Sequence, residues 1–164
     1  MSYYFIILLS LISFNLFSQD YSDSLLIVKN NKIWRFSTKT VEINLLNELN
    51  SKRNSNLKND TTMYKNVKKH SLYMLKVDKC QHSDLKMDYI EFIGHNKIKT
   101  NLKIKHKELA IGILNGFLQT ELHKLVLIDT KIKKISVAVS SNLLKQNEDY
   151  YYNIYTTIHI EQWI

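Results

Sequence analysis

Two hydrophobic periodicities follow one another along the chain. In residues 41–53, Leu45, Leu46 and Leu49 fall on one stripe at helical spacing, with Thr40 placed to cap and Glu42 in the first turn, so this stretch predicts a helix. The polar run 54–60 ends it. Thr61 or Thr62 then caps a second helix over 63–75, whose inward face carries Met63, Val67, His70 and Met74. Residues 89–93 read as a short strand. A third helix over 105–118 turns Leu109, Ile113, Leu114 and Phe117 inward, and Thr120 caps a short fourth helix ending near Leu127. The period then drops to two. Residues 135–139 and 150–160 read as strands, joined by 142–149 into an antiparallel hairpin. Helices followed by a terminal hairpin that pairs with a central strand predict an α+β domain, a small antiparallel sheet between helical layers.

The amino-terminal part follows a different pattern. Residues 3–17 are apolar apart from Ser and Asn. The run is shorter than the ~20 residues of a membrane span and suits the apolar core of a secretory signal, with the small Ser18 placed for cleavage before Gln19. This predicts a signal peptide over 1–18, an extension over 19–40 and one domain over 41–164. The mature chain then has no transmembrane span and resides outside a bacterium or in its periplasm. Within the extension, Asn30-Asn31 between two apolar tetrads suits a hairpin, and a short helix fits as well.

Composition narrows the partners. The formal charge is +8, yet nearly every basic residue is Lys; Arg35 and Arg53 are the two arginines. Base readout relies on arginine forks, so scattered lysines argue against nucleic acid and leave an unidentified envelope or extracellular ligand, acidic polymer among them. Cys80 is the single cysteine, so no intramolecular disulfide is possible. Its expected role is that of a small buried hydrophobe.

Several short motifs run in a characteristic order. Asn50-Ser51-Lys52-Arg53 ends the first helix and Leu57 follows; Val67-Lys68-Lys69-His70-Ser71-Leu72-Tyr73-Met74 forms the second helix. Then come His82-Ser83, Gly94-His95-Asn96, and Phe117-Leu118-Gln119-Thr120-Glu121-Leu122-His123 before an apolar run, with the strand pair last. This order resembles the CAP superfamily, the secreted domain shared by cysteine-rich secretory proteins, antigen-five and pathogenesis-related-one proteins, in its bacterial, disulfide-poor form. The resemblance covers residues 41 to the C-terminus. It implies an α-β-α sandwich and a pocket that typically combines two histidines with two carboxylates. Here His95 stands where the family has Glu, and Glu121 is adjacent to the position of the second acid, near Thr120.

The resemblance brings His82 and His123 to one cavity, and His95 is expected to join them. The candidate pocket is therefore His82, Ser83, His95, Asn96, Thr120 and His123, and the candidate metal ligands are His82, His95 and His123. Three imidazole nitrogens suit a borderline ion, zinc foremost. His70 reads as a hydrogen-bonded core histidine, His106 and His159 as surface or strand-face residues, and Tyr150, Tyr151, Tyr152 and Tyr155 as sheet packing. With both family acids missing from their positions, no catalytic residue is assigned. The expected function is non-enzymatic binding of a metal or a small apolar ligand; the alternative is a metal-dependent hydrolase of envelope polymer or peptide. A carboxylate within hydrogen-bond reach of His82 and His123 separates the two.

Overall fold

The computed structural model describes residues 36–83, 89–100 and 105–161. The signal segment 1–18 and, but for Phe36, the hairpin-or-helix at 21–36 lie outside the described residues. The elements run α1 (Thr38–Arg53), α2 (Thr61–Val77), β1 (Tyr89–Lys99), α3 (His106–Leu118), α4 (Glu121–Leu127), β2 (Ile135–Gln146) and β3 (Asp149–Glu161). The three strands form one antiparallel sheet in the order β1-β3-β2. The fold is α+β, as the periodicities predict.

Strand alternation sorts the sheet into two unlike faces. Ile135, Val137 and Val139 of β2, Phe92 of β1, and Ile154, Ile158 and Ile160 of β3 join Leu45 and Leu49 of α1 and Leu109, Ile113, Leu114 and Phe117 of α3 in one apolar core. The other face is polar and meets α2. Ser71 and Ser140 hydroxyls lie 2.8 Å apart, and His70 faces Thr157. The sheet thus lies between α2 on one side and α1 with α3 on the other.

The element boundaries differ from expectation where a side chain finds a better partner. α1 starts at Thr38, inside the expected extension, because the Ser37 hydroxyl, not that of Thr40, caps it by accepting the Thr40 amide at 3.2 Å. α2 is capped by Asp60, which accepts the Thr62 and Met63 amides at 2.9 and 3.0 Å. Gly94-His95-Asn96 is not a turn: β1 continues through it to Lys99 and pairs with β3 all along. The hairpin loop shrinks to Asn147-Glu148, with Asn147 in the left-handed region at φ 55°, which asparagine tolerates. Gly94 is needed for space: a β-carbon there would lie 2.9 Å from the Phe117 ring.

Two buried polar groups hold the helical layers to the chain between them. Asn50 donates to Leu57 O at 2.7 Å and accepts the Leu57 amide at 3.1 Å, clamping the segment after α1. Arg53, 2 % exposed, donates to Asp129 O and Ile132 O at 2.7 and 3.0 Å. Glu42 is 1 % exposed and does more than favour a helix start. Its carboxylate accepts the Val139 amide at 2.9 Å, the Tyr64 hydroxyl at 2.9 Å and Lys68 Nζ at 3.2 Å. Asn59 similarly pairs with both Val137 backbone groups, at 2.9 and 3.0 Å. Side chains from α1 and the α1–α2 segment therefore satisfy the outer edge of β2.

Candidate functional site

The polar face of the sheet gathers around Glu91. The register places Glu91 of β1 directly opposite His159 of β3, and α2 lays His70 over both. Glu91 Oε1 accepts His159 Nε2 at 2.9 Å and His70 Nδ1 at 3.1 Å. Oε2 accepts His82 Nδ1 at 2.9 Å and the Ser83 amide at 2.8 Å. One carboxylate thus receives three imidazoles and a backbone N–H, about its full acceptor capacity. The Tyr89 ring stacks on His159 at 4.0 Å.

Burial alone would raise the Glu91 pKa, since a carboxylate loses hydration there. The hydrogen bonds from His159, His70, His82 and Ser83 outweigh it and hold the group well below the usual carboxylate range. Glu91 is therefore ionised. With each ring donating to it, the far nitrogens His70 Nε2 and His159 Nδ1 are buried without partners among the described residues, as is the Tyr89 hydroxyl. Among the described residues, His70, Glu91 and His159 form the group whose ligand atoms all lie within 4.8 Å of one another, and this buried cluster could hold a metal ion.

The expected ligand set is distributed differently. His82 joins Glu91 through the second carboxylate oxygen and is 46 % exposed. His95 is four positions along β1 from Glu91. Its Nε2 pairs with Asn153 Oδ1, and its ring stacks on Tyr155 at 4.6 Å. Asn153 and the Tyr155 hydroxyl both donate to Asp78, at 2.6 and 3.0 Å, which ends α2 at φ 50°. His123 packs edge-on against Phe92 at 5.1 Å and near Phe117 at 6.3 Å. Burial, opposed by a hydrogen bond to the Phe117 backbone and aided by His82, lowers its pKa. His82, His95 and His123 are thus not one three-nitrogen site, because β1 runs straight through Gly94-His95-Asn96 and carries His95 away.

Asn96 pairs in register with Ile154, and Thr120 occupies the N-cap position of α4 without a side-chain capping bond. Ser83 contributes its amide to the centre. Cys80 is half-buried, and burial followed by the Glu91 charge pushes its thiol up to about 11, so it is a poor nucleophile.

The sequence pattern left Glu91 unnoticed and read His159 as a surface or strand-face residue, where it is a buried one, while His70 is the hydrogen-bonded core histidine it was read as. The usable signal was the strand period: Glu91 is an acid inside an apolar strand, and His159 is a titratable ring inside the last strand. What hid them is that pairing across β1 and β3 spans 68 residues.

No family model matches the chain, and no curated protein matches it. Among solved structures, an outer surface protein from Borrelia burgdorferi is similar at a TM-score of 0.47 and 16% identity, over 80% of this chain and 100% of that one.

Proposed function

We propose that the chain is a CAP-like binding domain of the bacterial envelope or exterior, without catalytic activity of its own. The observation that carries the non-catalytic part is the saturation of Glu91. A general base needs a free lone pair and access to substrate. Glu91 is 9% exposed and already accepts four hydrogen bonds. The acid beside His82 is Glu91, four positions before the place at 95 where the motif order puts it. It reaches His82 but makes no bond to His123, so the feature expected of a hydrolase is half met.

Zinc is the ion that best suits a centre of imidazoles and one carboxylate. The formal charge of +8, carried mainly by lysines, favours an acidic envelope ligand. The test is to incubate the full chain, with and without zinc, with purified envelope polymer and with peptides, following both retention and cleavage. Retention without cleavage is the expected outcome. Turnover that disappears in Glu91→Gln favours the hydrolase instead.

A further inference from the structure

We propose that His70, Glu91 and His159 form a structural zinc staple, joining α2, β1 and β3 in a chain that has no second cysteine for a disulfide. The proposal rests on the zinc reading of the centre and assigns the ion to specific residues and to a role. The ligand atoms already converge: His70 Nδ1 and His159 Nε2 both aim at Glu91 Oε1, at 3.1 and 2.9 Å, and all three lie within 4.8 Å. Tetrahedral zinc with bonds of ~2.0–2.1 Å places its ligands about 3.3 Å apart; the two contacts to Oε1 are within a few tenths of an ångström of that spacing, and the two ring nitrogens lie within 4.8 Å of each other.

The surroundings fit a metal ligand set. A coordinating carboxylate is commonly held by outer partners through its other oxygen, and Glu91 Oε2 is held by His82 and the Ser83 amide. The side chains of His70 and His159 are 8% and 1% exposed, so an ion there would be shut off from substrate and would serve to hold the three elements together, with a water completing the four positions that three protein ligands leave unfilled. Among the described residues the far nitrogen of each ring is buried without a partner, with or without an ion at the near ones, and it is the convergence of the near nitrogens on one carboxylate oxygen that favours the ion. To bind an ion, each ring would give up the proton it donates to Glu91 and carry its proton on the far nitrogen instead, so that the converging nitrogen is free to coordinate.

The site is distinct from the pair suggested by the resemblance. His123 lies against Phe92 and Phe117, on the apolar side of β1. An ion at His70, Glu91 and His159 would link residues 70, 91 and 159, closing long loops as a disulfide would, and its binding free energy would add to folding.

The experiment uses the full chain, stripped with a chelator and then titrated with zinc. Elemental analysis should give one zinc per chain, and the melting temperature should rise by several degrees on reloading. Cobalt in place of zinc should give visible d–d bands that zinc displaces. His70→Gln and His159→Gln should weaken zinc binding at least tenfold and remove the bands, while His95→Gln should change neither. Should those variants not fold, zinc stoichiometry and melting of the wild-type chain still decide. Zinc bound with no melting shift, or zinc lost in His123→Gln but kept in His70→Gln and His159→Gln, overturns the staple and leaves zinc in the functional reading. Absence of any zinc binding by the folded chain overturns both, and leaves the binding-domain reading to its own assay.

Discussion

His159 and Glu91 stand directly opposite each other across the β1–β3 ladder, and Nε2 donates to Oε1 at 2.9 Å. A charge placed on a sheet face between two layers must be compensated within reach, because taking a carboxylate out of water costs several kcal/mol. The strand pair supplies one partner by register. α2 supplies His70 from above, and the segment after α2 supplies His82 and the Ser83 amide. Glu91 is thus the point at which four parts of the chain agree on their positions.

Removing that point should be costly. Glu91→Ala leaves three imidazoles without their acceptor and is expected to lose about 3–5 kcal/mol, the range for breaking a buried charged network. Urea denaturation followed by circular dichroism measures it. A loss below about 1 kcal/mol would show that the imidazoles find other partners.

His123 sets a pH dependence. Its folded pKa is lowered from 6.5, chiefly by burial. Its contribution is therefore fully present above the unfolded value of about 6.5, and stability falls as pH drops from there towards the folded value, because the unfolded chain then binds the proton more readily. His123→Gln should flatten that part of the stability curve. An NMR titration of the ring with a midpoint above the ordinary value of about 6.5 contradicts the prediction.

Gly94→Ala tests the close approach of β1 to α3. The added carbon would meet the Phe117 ring at 2.9 Å, and Phe117 is 6% exposed, so the ring has little room to move. Overpacking of this kind costs about 1–3 kcal/mol. Phe117→Leu in the same chain should recover part of the loss. A double-mutant cycle with no coupling between the two positions would remove the steric explanation.

The chain announced its layers more clearly than its centre. The stripes Leu45, Leu46, Leu49 and Leu109, Ile113, Leu114, Phe117 are local patterns, readable within a few turns, and all seven residues are buried. The two strands after Ile135 were equally plain. The ends were less so, since Ser37 and Asp60 outcompeted the neighbouring threonines as caps. The centre was hidden for a different reason. His70, Glu91 and His159 are ordinary residues taken singly, and only strand register and the placement of α2 make them neighbours. His82 was singled out and does sit at the centre. His95 was singled out by a motif that, in the fold, is an uninterrupted strand.

Asn59→Ala tests the closure of the sheet. It removes the partner of both Val137 backbone groups, at 2.9 and 3.0 Å, and should destabilise by about 1–3 kcal/mol through the groups left unpaired. Light scattering at raised concentration should also increase relative to the wild-type chain. A monodisperse variant of unchanged stability would count against it.

The covered margin of β2 bears on how this protein meets its own kind. An open strand margin is a template on which another copy can lay a strand, then another after it. Here Glu42, Asn59 and Lys68 occupy the template between Ile135 and Val139, using ordinary side chains to mimic a neighbouring strand that never arrives. Crowded together at high concentration, copies of the chain find that stretch of β2 already taken.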